Sequence, residues 1–516
     1  SYNKTFNDHN FDAILGASYQ KSTSRTSEMG VLPGSFGSSI IQTLNNGVIS
    51  PTATRTSKSQ WGLASYFTRV NYNYKEKYLL AASLRTDGSS RFGPDNKWGN
   101  FPSASIAWRA TQEEFLKDNK IINELKLRLS YGVTGNFNIG DFDYLGTISD
   151  VNYSPNGVLT KGQAQTNFAD EKLKWERNES YNIGLDLGFL NRRLNFVVDY
   201  FDKKTNDLLY NVGIPSITGF ANSVVNVGDV RNRGIELEVN TRNLTGAFKW
   251  ETAFNFSRTK NEVVSLGGVN ESIFTHTRGM SWLLRVGEPM FSYYGYKTIG
   301  VLQDANDVAT SAILPGSKPG HAKYADINKD GKITPDDRTI LGNYQPKFFM
   351  GLVNDFSWKN FDMSIVMQAS VGGKMYNLEN LYYQGATVSG MRRSLVENQW
   401  WSQAEPGDGK SPATALSALP YLSNGDFYLE DASFLGLRNL NIGYTLPGNV
   451  AQRMRMRSCR LYVSANNLFI LTKEGFHGYN PEGYTGGLIN GIESVGLNNG
   501  SEPISRVFSF GLNVNF

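Results

Sequence analysis

The rhythm of the connections restricts this chain more than any other feature. Segments of about ten residues with alternating apolar and polar side chains recur along all 516 residues, and the stretches between them alternate in length. "KEK" (75–77), "NRR" (191–193), "LTGA" (244–247) and "KN" (359–360) are short, while 110–124 and 447–457 are intermediate. The others are mostly long: 21–58, 136–177, 206–232, 259–346, 372–427 and 471–504. An antiparallel up-and-down meander with every large loop at one end produces this pattern. Long outer loops over short periplasmic turns are the mark of an all-β transmembrane barrel. About fourteen strands are expected, starting near residues 9, 59, 78, 98, 125, 178, 194, 233, 248, 347, 361, 428, 458 and 505.

The strands support the same architecture. In "RVFSFGLNVNF" (506–516), Phe508, Phe510, Leu512, Val514 and Phe516 alternate with Ser509, Gly511, Asn513 and Asn515. "YLLAASLRTD" sets Tyr78, Leu80, Ala82 and Leu84 against Ser83, Arg85 and Asp87. Period-2 segments of about ten residues cross a hydrocarbon layer when tilted. A lipid-facing Arg or Lys at mid-depth costs about 2–4 kcal/mol. Arg85, Asp87, Arg128, Asp186, Asp199, Glu236, Glu238 and Asp362 all fall on the small-polar parity, so each is expected inside, where Arg85, Asp87 and Arg128 could line a passage or hold a plug by ion pairs. A soluble sandwich or propeller also alternates, but it puts more Lys and Glu on the wet face and lacks the two-length loop rhythm. No apolar run is long enough for a membrane helix. A barrel in lipid must close, so the last strand is expected to pair with the first.

Composition narrows the function classes. A net charge of +4 gives no basic surface for nucleic acid. The single cysteine, Cys459, excludes an internal disulfide or a CxxC site and reads as an inert thiol. His9, His276, His321 and His477 show no metal spacing, and no nucleophile elbow, HExxH or phosphate loop occurs, so no enzyme is expected.

Two features could carry chemistry. "DINKDGKITPDD" places Asp326, Asn328, Asp330 and Gly331 at positions 1, 3, 5 and 6 of an EF-hand-type loop, Lys332 at the carbonyl position 7 and Asp337 at position 12. Hard Ca²⁺ takes clustered oxygens, and Gly permits the turn that wraps them around it. Asp in place of Glu at position 12 shortens the reach, and a solvated turn without an ion is the alternative. Bound Ca²⁺ would be structural, stiffening the 259–346 loop, which offers few apolar residues to pack. The aromatic clusters "FSYYGY", "YNLENLYYQG" and "NQWW" could stack on sugar faces or peptide side chains. They offer Tyr293, Tyr294, Tyr296, Tyr382, Tyr383, Trp400 and Trp401, which could equally serve loop packing or interfacial girdles.

Long blocks of the chain resemble a known family. They include "SYFTRVNYNYKEKYLLAASLRTDGSSRFGPDNKWGNFPSASIAWR" (65–109), "LKLRLSYGVTGNFNIGDF" (125–142), "VGDVRNRGIELEVN" (227–240), "DASFLGLRNLNIGYTLP" (431–447) and "LYVSANNLFILTKEGFHGYNPE" (461–482). The stretch 326–365 and the terminal strand belong with them. Together they resemble the SusC/RagA-like TonB-dependent outer-membrane transporters of Bacteroidetes. The resemblance implies a 22-stranded barrel with an N-terminal plug, and importing work shared with a SusD-like surface lipoprotein and energised by TonB–ExbB–ExbD. About fourteen strands and no plug make this chain, on that expectation, the C-terminal barrel portion over residues 1–516. The imported nutrient would be an oligosaccharide or peptide; a passive porin or structural barrel is the alternative.

Overall fold

The computed structural model of the chain describes residues 1–516 apart from 118, 159, 215, 221, 269–270, 276–279, 381–390, 414–424, 485–487, 490–491 and 494. Fifteen strands form one sheet and are hydrogen-bonded in chain order. They are β1 Tyr2–Phe6, β2 His9–Glu28, β3 Arg55–Tyr74, β4 Tyr78–Ser89 and β5 Trp98–Arg109. Next come β6 Ile122–Asn136, β7 Glu176–Phe189, β8 Leu194–Asn206, β9 Asp229–Thr245 and β10 Phe248–Ser265. Last are β11 Phe348–Trp358, β12 Phe361–Val371, β13 Phe434–Thr445, β14 Ser458–Thr472 and β15 Val507–Asn515.

The fourteen expected strands are all present, and β1 is the addition, paired to β2 from Tyr2↔Ala13 to Phe6↔His9. The largest shift of a start is at β13, which begins at Phe434 because the expected start near 428 falls on a separate short strand, Leu429–Asp431. Asp431 accepts the backbone N–H of Ser433 at 3.0 Å, and that turn divides the two strands. β15 pairs with β14 from Ser458↔Asn515 to Asn466↔Val507 and ends the order. The expected closing pair with a first strand is not among the pairings of the described residues.

Contacts divide the chain into two compact units: Ser1–Ile106, Ser130–Ser180 and Thr205–Val227 form one, and the remaining residues form the other. In the first, β2 and β3 stay in register for twenty residues, from His9↔Tyr74 to Glu28↔Arg55. Leu15 and Tyr19 share a face with Thr68 and Ala64, and are 83% and 71% exposed. Beyond Gln20 the strand reads "KSTSRTSE", so the apolar band ends after about the ten residues that hydrocarbon requires. The core of this unit, Phe92, Phe101, Val133, Ile139, Leu173 and Trp175, lies where strand ends meet loops.

In the second unit the cross-strand registers align an apolar row over successive strands: Trp250, Phe356, Met363, Ile442, Val463 and Phe510. A second row beside the short turn at 359–360 carries Phe248, Trp358, Phe361 and Tyr444, an aromatic girdle at the headgroup level. Phe510, Leu512 and Phe516 are large and exposed, as side chains meeting lipid must be. Among the described residues no helix is long and apolar enough to cross a membrane.

Candidate functional site

Three of the long loops of the second unit build a core of their own. Short strands Ser281–Arg285, Ser292–Gly295, Thr339–Gly342 and Lys374–Asn377 carry Trp282, Tyr293, Leu341 and Tyr376 into it, joined by Met280, Tyr296, Tyr324, Ile333, Tyr428 and Leu497. The expectation that the 259–346 loop has little to pack is therefore overturned. Its apolar side chains come as unalternated runs such as "SWLLR", in which every residue but the last is buried.

This core corrects the aromatic assignments. Tyr293, Tyr294 and Tyr296 are 0%, 8% and 5% exposed, so they offer a ligand no face. The Tyr293 hydroxyl donates to the Gly496 carbonyl at 2.7 Å, and Tyr296 packs on Tyr324 with centroids 5.3 Å apart. Tyr382 and Tyr383 lie outside the described residues, as does His276. Trp400 is half-buried and donates to the Gln303 carbonyl at 3.3 Å. Trp401, 51% exposed, keeps an open ring while its Nε1–H donates to the Val396 carbonyl at 3.0 Å.

The twelve residues Asp326–Asp337 close into a tight loop. Asp326 accepts the backbone N–H of Gly331 at 2.8 Å, Asn328 accepts that of Asp330 at 3.0 Å, and Asp330 accepts that of Lys332 at 2.9 Å. Gly331 takes φ +82°, the left-handed conformation for which glycine suits position 6. Asp326, Asp330 and Asp337 bring one carboxylate oxygen each within 4.8 Å of one another. The oxygen-only donor set fits a hard divalent cation. Lys332 directs its side chain to solvent, which leaves only its carbonyl to serve as a ligand. Asp337 is fully buried: Oδ1 accepts from Ile327 N at 2.9 Å and Oδ2 from Thr334 N at 2.8 Å. The Thr334 N–H, outweighing burial, leads the bonds that hold this carboxyl below its ordinary range. Ile333, 2% exposed, anchors the loop in the core.

One cluster is absent from the sequence reading. Glu430, 8% exposed, accepts the side-chain amides of Asn377 at 3.1 Å and Asn380 at 2.7 Å. It also meets the backbone N–H of His477 and its ring Nδ1, both at 3.0 Å. Burial pushes the carboxyl up, but the bonds from His477, Asn377 and Asn380 together bring it below its ordinary range. The three segments are too far apart in the chain for any spacing rule to unite them.

The model of the family described as "TonB dependent receptor-like, beta-barrel" matches residues 1–468. The chain belongs to this family. TonB-dependent receptor P3 of Formosa agariphila is 36% identical over 525 residues, covering 100% of this chain and 51% of that protein. TonB-dependent receptor SusC of Bacteroides thetaiotaomicron is 32% identical over 88% of this chain and 44% of its own length. The chain thus spans about half the length of the curated relatives it matches. In fold it is similar to a chain of the structure titled "Structure of the RagAB peptide transporter", with TM-score 0.81, 24% identity, and 100% of this chain and 54% of that one covered. The fold is the TonB-dependent transmembrane β-barrel, and the protein resides in the outer membrane of a Bacteroidetes-type bacterium.

Within this TonB-dependent receptor barrel, the small-polar parity becomes the inner wall. Its charges pair with one another. Arg128 donates from Nε to Asp186 at 2.9 Å and from Nη2 to Asp199 at 3.0 Å. Arg85 reaches Asp87 at 2.8 Å, and Arg460 reaches Asp362 at 2.9 Å and Asn441 at 2.7 Å. Glu238 accepts from Asn240 at 2.6 Å. Arg85, Asp87 and Arg128, expected either to line a passage or to hold a plug by ion pairs, thus also meet opposite charges on the same wall.

Proposed function

We propose that this chain is the wall and outer-loop portion of an importer that carries a bulky nutrient, an oligosaccharide or peptide, across the outer membrane. The match of residues 1–468 to the receptor barrel, with SusC among the relatives, carries this reading. A SusD-like surface lipoprotein would dock on the outer loops. TonB–ExbB–ExbD would act through a plug that precedes this portion in the full-length protein. The chain would contribute enclosure, loop docking and ligand contact, without bond-breaking chemistry. Trp401, the one expected aromatic with an open ring among the described residues, is the retained ligand contact. Deleting the gene should abolish uptake and growth on one class of oligosaccharide or peptide. Unchanged growth on all of them would sink the reading.

Ca²⁺ in the 326–337 loop belongs to the same proposal as a structural ion. Asp326, Asn328, Asp330 and Asp337 would hold it by side-chain oxygens and Lys332 by its carbonyl. Removal of Ca²⁺ by a chelator should quicken protease cleavage at 326–337, and re-addition of Ca²⁺, but not of Mg²⁺, should restore resistance.

A further inference from the structure

Beside the loop core of the second unit lies a cavity of about 430 Å³, within the range of small-ligand sites. One loop contributes Asn398, Asp408 and Ser411, another contributes Glu474 and His477, and Phe427 supplies an apolar wall. The buried Glu430–Asn380 pair forms its floor.

The floor fixes what the cavity presents. Glu430 offers the ring an acceptor, so the His477 ring donates from Nδ1 and leaves Nε2, on a half-exposed ring, for a further hydrogen bond. Asn380 spends its amide N–H on Glu430, which leaves its carbonyl oxygen to accept. Arg392 adds guanidinium donors, with one N–H on the His477 carbonyl at 3.0 Å. Donors and acceptors thus both line the cavity beside the apolar Phe427. That is the complement of a ligand whose hydroxyls both donate and accept around an apolar ring face. Charge restricts it further: Asp408, Glu430, Asp431 and Glu474 face the single guanidinium of Arg392 among the described lining residues. A carboxylate or sulfate on the ligand would meet more carboxylates than guanidinium groups.

We infer that this cavity is a binding site for a neutral sugar ring, and that it selects against uronic and sulfated sugars. The inference deepens the import reading, resting on it for a ligand that arrives from outside the cell. Trp401, with its exposed ring, stands on the loop that supplies Asn398 and Asp408.

The test uses the full-length protein in detergent, titrated by calorimetry with maltohexaose, laminarihexaose, xylohexaose and mannohexaose. Hexagalacturonate serves as the anionic counterpart, and trialanine and trilysine as peptides. At least one neutral hexasaccharide should bind about tenfold or more tighter than hexagalacturonate. That binding should weaken about tenfold in Asn398→Ala and, separately, in the exposed Glu474→Gln, both variants keeping the wild-type protease pattern. Failure of all four neutral sugars, equal or tighter binding of hexagalacturonate or a peptide, or unchanged affinity in both variants would overturn the assignment. Binding is read on purified protein and import on cells, so either can fail while the other stands.

Discussion

At the scale of single residues, two positions show how little space separates function from misfit. A Cβ on Gly184 would stand 2.5 Å from both the Arg128 guanidinium carbon and an Asp199 oxygen. Glycine there leaves room for the Arg128–Asp186–Asp199 triad on the wall. Gly184→Val should displace the guanidinium and cost about 1–3 kcal/mol through overpacking. The unheated folded band on a detergent gel should then convert to the unfolded one at lower temperature, whereas the conservative Ser509→Thr on the same wall should leave it unchanged. Asp337 makes a claim about pH. Its carboxyl lies below the ordinary value of 3.8 in the folded loop, so its contribution is complete above that value. The contribution is lost as pH falls through the depressed folded value. Hydrogen exchange at Ile327, Asn328 and Thr334, the amides bonded to Asp337, should accelerate relative to intrinsic rates in that acid window. Asp337→Asn should expose the same amides at pH 7 and flatten the acid response.

At the scale of elements, the strands were legible and the loops were not, for one physical reason. A strand with lipid on one side and a wet interior on the other must alternate, and a register slip of one residue would turn Arg128 or Asp362 into hydrocarbon. That constraint writes a period of two into the sequence, and all fourteen expected strands follow it. The outer loops obey no such period. Tyr293, Tyr294 and Tyr296 sit in segments buried on both faces, and only the lack of alternation in "SWLLR" and "FSYYGY" hints at it. The clustering of Asp326, Asp330 and Asp337 was legible because they lie within twelve residues of chain, whereas Glu430, Asn380 and His477 meet only through tertiary packing. The alternation makes a paired prediction on β15. Phe510→Arg puts a cation against lipid and should cost about 2–4 kcal/mol, while Ser509→Arg turns the same charge inward and should cost far less. Urea unfolding in lipid vesicles would measure both, and equal costs would contradict the assigned faces.

At the scale of the molecule, the inner wall pairs much of its own charge: Arg85, Arg128 and Arg460 each reach a carboxylate of the same wall, while Arg69 donates to the Asn71 amide oxygen. The long hairpin of β2 and β3 has a different consequence. Its apolar band ends near Gln20, yet both strands continue, fully paired, to Glu28 and Arg55, and the exposed stretch around Gly34, at φ +75°, caps them. A paired ribbon that outlasts the bilayer stands up from the cell as a mast. An epitope tag spliced at 34–39 should bind antibody on intact bacteria without loss of the folded protein, whereas one at 75–77 should be reached only after the envelope is opened.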